Sequence, residues 1–181
     1  IDQQKKFVNA IASQIGFDFQ SGRLDESTHP FCSGTHCNDV RMTTRFHENN
    51  VNDAIGSTMH ECGHGIYEQG LLFTNVGTPM GSAVSLGIHE SQSRMWENQV
   101  GRSEAFWKWC YPKMDEFFGD ATAHLSFDDV YGGANIVKPD FIRVEADEAT
   151  YNMHIMIRFE LERLLMKGEL AVADLPDAWN A

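Results

Sequence analysis

The stretch Val51-Asn-Asp-Ala-Ile-Gly-Ser-Thr-Met-His60-Glu61-Cys62-Gly63-His64-Gly-Ile-Tyr-Glu68 decides how this chain is read. It is expected to be one helix, with Gly70 near its C-terminal stop. Four residues of α-helix turn through about 400°, so the His60 and His64 imidazoles point within about 40° of each other. Two such rings can share one metal ion. Glu61 lies one residue round the helix, close enough to address a water at the metal without being a ligand. Cys62 lies about 200° from His60 and is expected to face the core. A chain of this composition yields only about 0.025 accidental His-Glu-x-x-His matches. The competing reading is a solvated helix face with two unrelated histidines.

A catalytic zinc takes three protein ligands and keeps one position open. Glu90, in His89-Glu90-Ser-Gln-Ser-Arg94, is the candidate third ligand, and His89 competes with it. From periodicity alone a surface glutamate paired with Arg94 at i+4 is an equal reading. With three ligands and Glu61, the chemistry is metal-assisted hydrolysis. Such a metal polarises a carbonyl, and Glu61 takes the proton of the attacking water and passes it to the leaving amine. Peptide bonds suit that arrangement.

Outward from this helix the chain reads as mainly α. Phe7, Ile11 and Ile15 recur at i, i+4, i+8, so residues 2–15 form an amphipathic helix that stops at Gly16. Residues 17–38 carry Gly, Ser, Thr, His and Pro and read as loop. Asp39-Val-Arg-Met-Thr-Thr-Arg-Phe46 alternates and favours extended backbone, giving one strand, followed by a turn at residues 47–50. Residues 71–81 read as loop, 82–99 as a third helix stopping at Gly101. A fourth helix starts after Ser103 and is disturbed at Pro112. Gly132-Gly133 marks a loop. The last helix opens after Pro139-Asp140 and runs to about Lys167, with Met156, Phe159 and Arg163 near one face in mixed core and site duties. No internal repeat or domain boundary is visible, so residues 1–181 read as a single region.

Composition narrows the partners. The 181 residues carry 14 Lys plus Arg against 26 Asp plus Glu, a formal charge of −12. That acidity opposes nucleic-acid binding, which needs a basic footprint, and is read as solubility. No apolar run reaches the ~18 residues of a membrane span. No secretory signal opens the chain, although its first residue is Ile1 rather than Met, as if something had been removed. Hydrophobic content of 42% and twelve Phe exclude disorder. Four cysteines make no disulfide framework, which suits a reducing, cytoplasmic setting.

At this point the residues resemble a known family. His60-Glu-Cys-Gly-His-Gly-Ile-Tyr-Glu-Gln69 followed by Gly87-Ile-His-Glu-Ser-Gln-Ser-Arg-Met-Trp-Glu-Asn98 is similar to the carboxypeptidase Taq family of metallocarboxypeptidases. His29-Pro30-Phe31, Asp39-Val-Arg-Met-Thr43 and Ile142-Arg-Val-Glu-Ala-Asp147 match three further family motifs in order. The resemblance implies a largely helical, zincin-like fold with a small sheet beside a deep groove. It places the third ligand on Glu90 and implies zinc, with cobalt as a substitute. It also implies release of single residues from peptide C-termini and a homo-oligomer, a dimer in the family.

The resemblance gives Arg143 the substrate's terminal carboxylate, and a guanidinium offers a bidentate fork for it. The alternative pairs Arg143 with Asp147 at i+4. His29, Asp39 and Arg41 are candidate substrate-binding residues. An edge strand at residues 39–46 could pair with an extended peptide, or Asp39, Arg41 and Arg45 could form an ordinary charge ladder. His29 is equally read as a hydrogen bonder that fixes its loop.

The family's chain is far longer and continues into a Gly-x-x-Gln-Asp-x-His-Trp motif and a Tyr-bearing segment. The present chain is therefore expected to be part of a catalytic domain that keeps the metal site but lacks full competence. Three other readings stay open. The chain could be a non-catalytic metal-binding or assembly module. It could be an endopeptidase of the wider His-Glu-x-x-His group. Cys32 and Cys37, near His29 and His36, could form a second metal site. Glu68, at i+4 from His64, is either a partner orienting a ligand or a solvated helix end.

Overall fold

Helix α1 (Asp2–Ile15) buries Phe7, Val8, Ile11 and Ala12 along one face and ends at Gly16. Gly16 adopts φ 112°, a left-handed turn open to glycine, and the Phe17 N–H closes it on the Ala12 carbonyl. The computed structural model describes residues 1–180. Although no boundary shows in the sequence, the chain divides into two compact units, Ile1–Ala134 and the residues from Asn135 onward.

The first unit holds a three-stranded sheet where a single strand was expected. Strands β1 (Gly22–Glu26) and β2 (Phe31–His36) occupy the segment expected as loop. They flank β3 (Asp39–Thr44) in the order β1-β3-β2, parallel to β1 and antiparallel to β2. Both outer strands are largely exposed and lack an apolar alternation, so their extended state comes from pairing with β3. That strand buries Val40, Met42 and Thr44 on one face. β3 is thus the central strand. Its backbone is already paired on both sides, which removes it as an edge for a peptide. The free edges belong to β1 and β2.

Helix α2 (Val51–Gln69) starts at Asn50, whose side chain accepts the Asp53 N–H. It lies between two apolar clusters. Ile55 and Met59 join Phe7, Ile11, Phe106, Trp107, Cys110 and Met114. Cys62 joins Ala12, Phe17, Val40 and Met42, facing the core as expected. Packing on both sides fixes the rotation of α2 about its axis.

Helix α3 begins later than expected, at Leu86, where Ser85 caps it. It runs to Arg94 and widens into a π-helical stretch, Met95–Val100. Helix α4 (Glu104–Phe118) passes through Pro112 without stopping. Pro112 and Lys108 are both exposed, so the Lys108 carbonyl left without its N–H partner meets water, while Trp107, Cys110 and Met114 hold the helix to the core. Gly132 and Gly133 are helical too, in α5 (Phe127–Ala134), anchored by buried Val130.

In the second unit the long helix starts later than expected. Residues 143–145 form a single 3₁₀ turn, and α6 spans Tyr151–Lys167, stopping at Gly168 with φ 72°. Asp147 accounts for the delay. Its Oδ1 accepts the N–H groups of Ala149 and Thr150, and its Oδ2 accepts those of Lys138 and the Thr150 hydroxyl. Arg143 and Asp147 therefore do not share a helix, and the i+4 pair is ruled out. Arg143 instead donates to the Tyr151 hydroxyl and lies over that ring. Met156, Phe159 and Arg163 are all exposed, so they have no core duty among the described residues. A short helix α7 (Leu175–Asn180) follows.

Candidate metal centre

Gly63 is what lets α3 reach α2. A Cβ there would lie 2.6 Å from the Gln92 carbonyl oxygen and 2.7 Å from the Ser93 nitrogen, both backbone atoms. The two helices cross at that bare position, and Ser93 is fully buried against it. Glu90, one turn before Ser93, is thereby carried to the face of α2 that bears His60 and His64.

The three side chains converge. The His60 and His64 ring centroids are 5.0 Å apart. Glu90 Oε1 lies 3.8 Å from His60 Nε2, and Glu90 Oε2 lies 3.3 Å from His64 Nε2. One ligand atom from each residue lies within 4.8 Å of the other two. Bonds of about 2.0–2.2 Å in a tetrahedral site put neighbouring ligand atoms about 3.3–3.6 Å apart. The spacing and the two-imidazole, one-carboxylate donor set fit a divalent ion. Among the described residues this is the one such group. Cys32, Cys37, His29 and His36 do not assemble into a second. Burial pushes the Cys32 thiol up to about 12, and the His36 ring accepts the Asn38 N–H.

The outward nitrogens of both rings are also engaged. His60 Nδ1 lies 2.8 Å from Glu97 Oε2, which also receives Arg94 Nη1 at 2.9 Å. His64 Nδ1 lies 2.6 Å from His89 Nδ1, and His89 Nε2 lies 2.7 Å from Glu68 Oε1. His89, a competitor for the third ligand, thus faces the far side of His64. Glu97 was missed in the sequence. The signal available was its spacing of seven from Glu90, two turns of a uniform α-helix, which the π-helical stretch Met95–Val100 alters.

Charge follows this layout. Burial alone would depress the His60 imidazole, but the hydrogen bond and charge of Glu97 outweigh it and hold its pKa above the usual value. Glu90 is drawn down to about 2, first by its hydrogen bond to His64 and then by both rings and Arg94, against its partial burial. Glu61 goes the other way. It is 5% exposed, and burial with the Glu90 and Glu97 charges lifts it to about 7, against the pull of His60. A carboxyl poised there can hold or release a proton near neutrality.

The other expected site residues fall elsewhere. Val40 and Met42 face α2, with Met42 against Gly65, so Asp39 and Arg41 point to the opposite face of the sheet. There they pair with each other through two hydrogen bonds of 2.9 and 3.0 Å. His29 is exposed in the β1–β2 turn, where its carbonyl accepts the Ser27 hydroxyl. Arg143 belongs to the second unit.

Comparison with known proteins follows the same line. The sequence model of the carboxypeptidase Taq (M32) metallopeptidase family matches residues 1–181. The chain is 49% identical over 179 residues to thermostable carboxypeptidase 1 of Thermus thermophilus, covering 99% of this chain and 35% of that protein. It is 45% identical over 179 residues to carboxypeptidase 1 of Bacillus subtilis, covering 99% and 36%. Among solved structures, the M32 carboxypeptidase from Deinococcus radiodurans R1 superposes with a TM-score of 0.94 at 46% identity, over 98% of this chain and 36% of that one. The chain spans about a third of the length of the relatives it matches.

Proposed function

The chain belongs to the carboxypeptidase Taq (M32) metallopeptidase family, and from that premise we propose that it carries the metal centre of a zinc-dependent carboxypeptidase. His60, His64 and Glu90 would hold the ion, with zinc as the resident metal and cobalt able to replace it. The observation that carries this reading is the convergence of two Nε2 atoms and one carboxylate beside a buried Glu61. A divalent ion held there supplies Lewis acidity toward a carbonyl and makes water a stronger acid.

The rest is done by the chain's own residues. Glu61, as carboxylate, takes the proton of the attacking water and delivers it to the nitrogen of the departing residue. Burial lifts Glu61 to about 7 in the ion-free chain, and a cation beside it would draw it back toward the carboxylate that accepts the proton. Strand β2 is an outer strand with one free edge, and its Gly34 packs on Glu68 of α2. It can align an extended peptide by backbone pairing. Arg143 would take the terminal carboxylate, a role that rests on its Ile-Arg-x-x-Ala-Asp motif and on guanidinium geometry. His29, Asp39 and Arg41 are proposed substrate contacts on motif grounds alone. The protein would act on peptides as a homo-oligomer. Four cysteines without a disulfide fit a reducing, cytoplasmic compartment. No described helix is long and apolar enough to cross a membrane.

Digestion of one synthetic peptide, followed by mass spectrometry, tests the reaction class. Successive loss of single C-terminal residues is expected, slower than by a full-length relative digesting the same peptide alongside, because the chain spans about a third of such a relative. Internal cuts would transfer the site to an endopeptidase, and an intact peptide in the presence of zinc would favour a non-catalytic metal-binding module.

A further inference from the structure

His64 is the one metal-facing ring whose outer nitrogen meets no carboxylate directly. It meets His89, and His89 meets Glu68. The two contacts fix the direction of the hydrogen bonds along this chain of groups. A carboxylate can only accept, so His89 Nε2 carries the hydrogen and His89 Nδ1 is left as an acceptor. His64 Nδ1 must then be the donor, so that Nε2, which faces Glu90 at 3.3 Å, is the nitrogen left to give its lone pair when an ion replaces the hydrogen it shares with Glu90. The Tyr67 and His89 rings pack nearly perpendicular, centroids 4.9 Å apart, which restricts rotation of the middle ring.

The seat of Glu68 is itself prepared. Gly34 on β2 has no side chain where Glu68 lies. A Cβ there would come within 2.5 Å of the Glu68 Cδ and 2.7 Å of its Cγ. Gly34 has no positive φ, so what it lends is space rather than backbone freedom.

We propose that Glu68 and His89 are positioning residues that lock His64 in the tautomer presenting Nε2 to the metal, and that Gly34 is the opening that admits Glu68. The proposal rests on His60, His64 and Glu90 being the ligands. It assigns His89 to orienting a ligand rather than to being one. The relay is serial: each member acts only through the next. Glu97 does the same for His60 without an intermediary, so the two rings are held by different chemistry.

The test is zinc affinity of the full chain, by competition with a chromophoric chelator, with thermal melting of the metal-free forms as the fold control. Glu68→Ala and His89→Ala should each weaken zinc about 10–100-fold. The double variant should be no weaker than His89→Ala alone. Glu68→Gln should recover most of the loss, because a neutral oxygen still accepts from His89 and forfeits only charge assistance. Gly34→Ala should weaken zinc toward the Glu68→Ala value, and should do nothing further in a Glu68→Ala background. Ordinary affinity in both alanine variants, or equal losses for Glu68→Ala and Glu68→Gln, would overturn the relay while leaving the ligands standing. A silent Gly34→Ala beside a weakened Glu68→Ala would overturn the role given to Gly34, because Glu68 would then seat itself beside a methyl. Zinc binding undiminished in His64→Ala would sink the ligand set and the relay with it.

Discussion

Glu61→Gln is expected to lower kcat for peptide hydrolysis about 10²–10⁴-fold while zinc stays bound. The amide has nearly the carboxylate's shape, so the packing around α2 is kept, but it cannot accept the proton of the attacking water. Full-chain kinetics with metal analysis of the same sample read both quantities. Activity at the parent level with zinc retained would mean that another group serves as base, or that the metal is structural. The same substitution has a stability signature in the metal-free protein. The folded Glu61 pKa of about 7 exceeds the ordinary 4.5, so the folded state holds the extra proton between those values. Stability from this group is therefore intact below pH 4.5 and is lost as pH rises to about 7. The loss amounts to about 3 kcal/mol. Glu61→Gln has no such proton to lose, so at pH 8 it should melt higher than the parent, and near pH 4.5 the difference should vanish.

Gly63→Ala is expected to separate α2 from α3. The new methyl meets the Gln92 carbonyl and the Ser93 amide at 2.6 and 2.7 Å. Backbone cannot rotate aside as a side chain can, so α3 must retreat and take Glu90 with it. A misplacement of about 1 Å at a reacting centre can cost about 100-fold in rate, and the overpacking adds about 1–3 kcal/mol of instability. Gly56→Ala on the same helix is the control. A Cβ at Gly56 meets nothing within 4 Å, so that variant should gain stability from helix propensity, up to about 1 kcal/mol. Equal behaviour of the two alanines, in kcat/KM and in melting, would contradict the crossing as the device that delivers Glu90.

The parts of this molecule legible in its sequence are those with local causes. α1 and α2 have apolar spacing, and their ends carry Gly16 and Asn50, so their limits follow from backbone chemistry. His60, Glu61 and His64 sit on one face because four residues make a little over one turn. β1 and β2 have no such cause. Their exposed residues carry no alternation, and only β3 makes them strands. Pro112, Gly132 and Gly133 read as breaks because propensity is weighed without packing, and the core contacts of α4 and Val130 outweigh it. Asp147 reads as a helix residue until its carboxylate is seen gathering three backbone N–H groups. At the site, periodicity alone leaves the third ligand level between a metal and a salt bridge, because its place depends on where α3 crosses α2, and only the family motif assigns it to Glu90. Glu97 and the orientation of His89 depend on the same crossing, and neither is encoded by spacing alone.

The most direct measurement is a zinc titration of the metal-free full chain, with the Glu90→Gln variant beside it and metal content read after dialysis. One zinc per chain is expected for the parent, with the site substantially emptied in Glu90→Gln, because a neutral amide replaces the anionic ligand from α3. Undiminished retention of zinc by Glu90→Gln would contradict the convergence of α2 and α3 on a single ion.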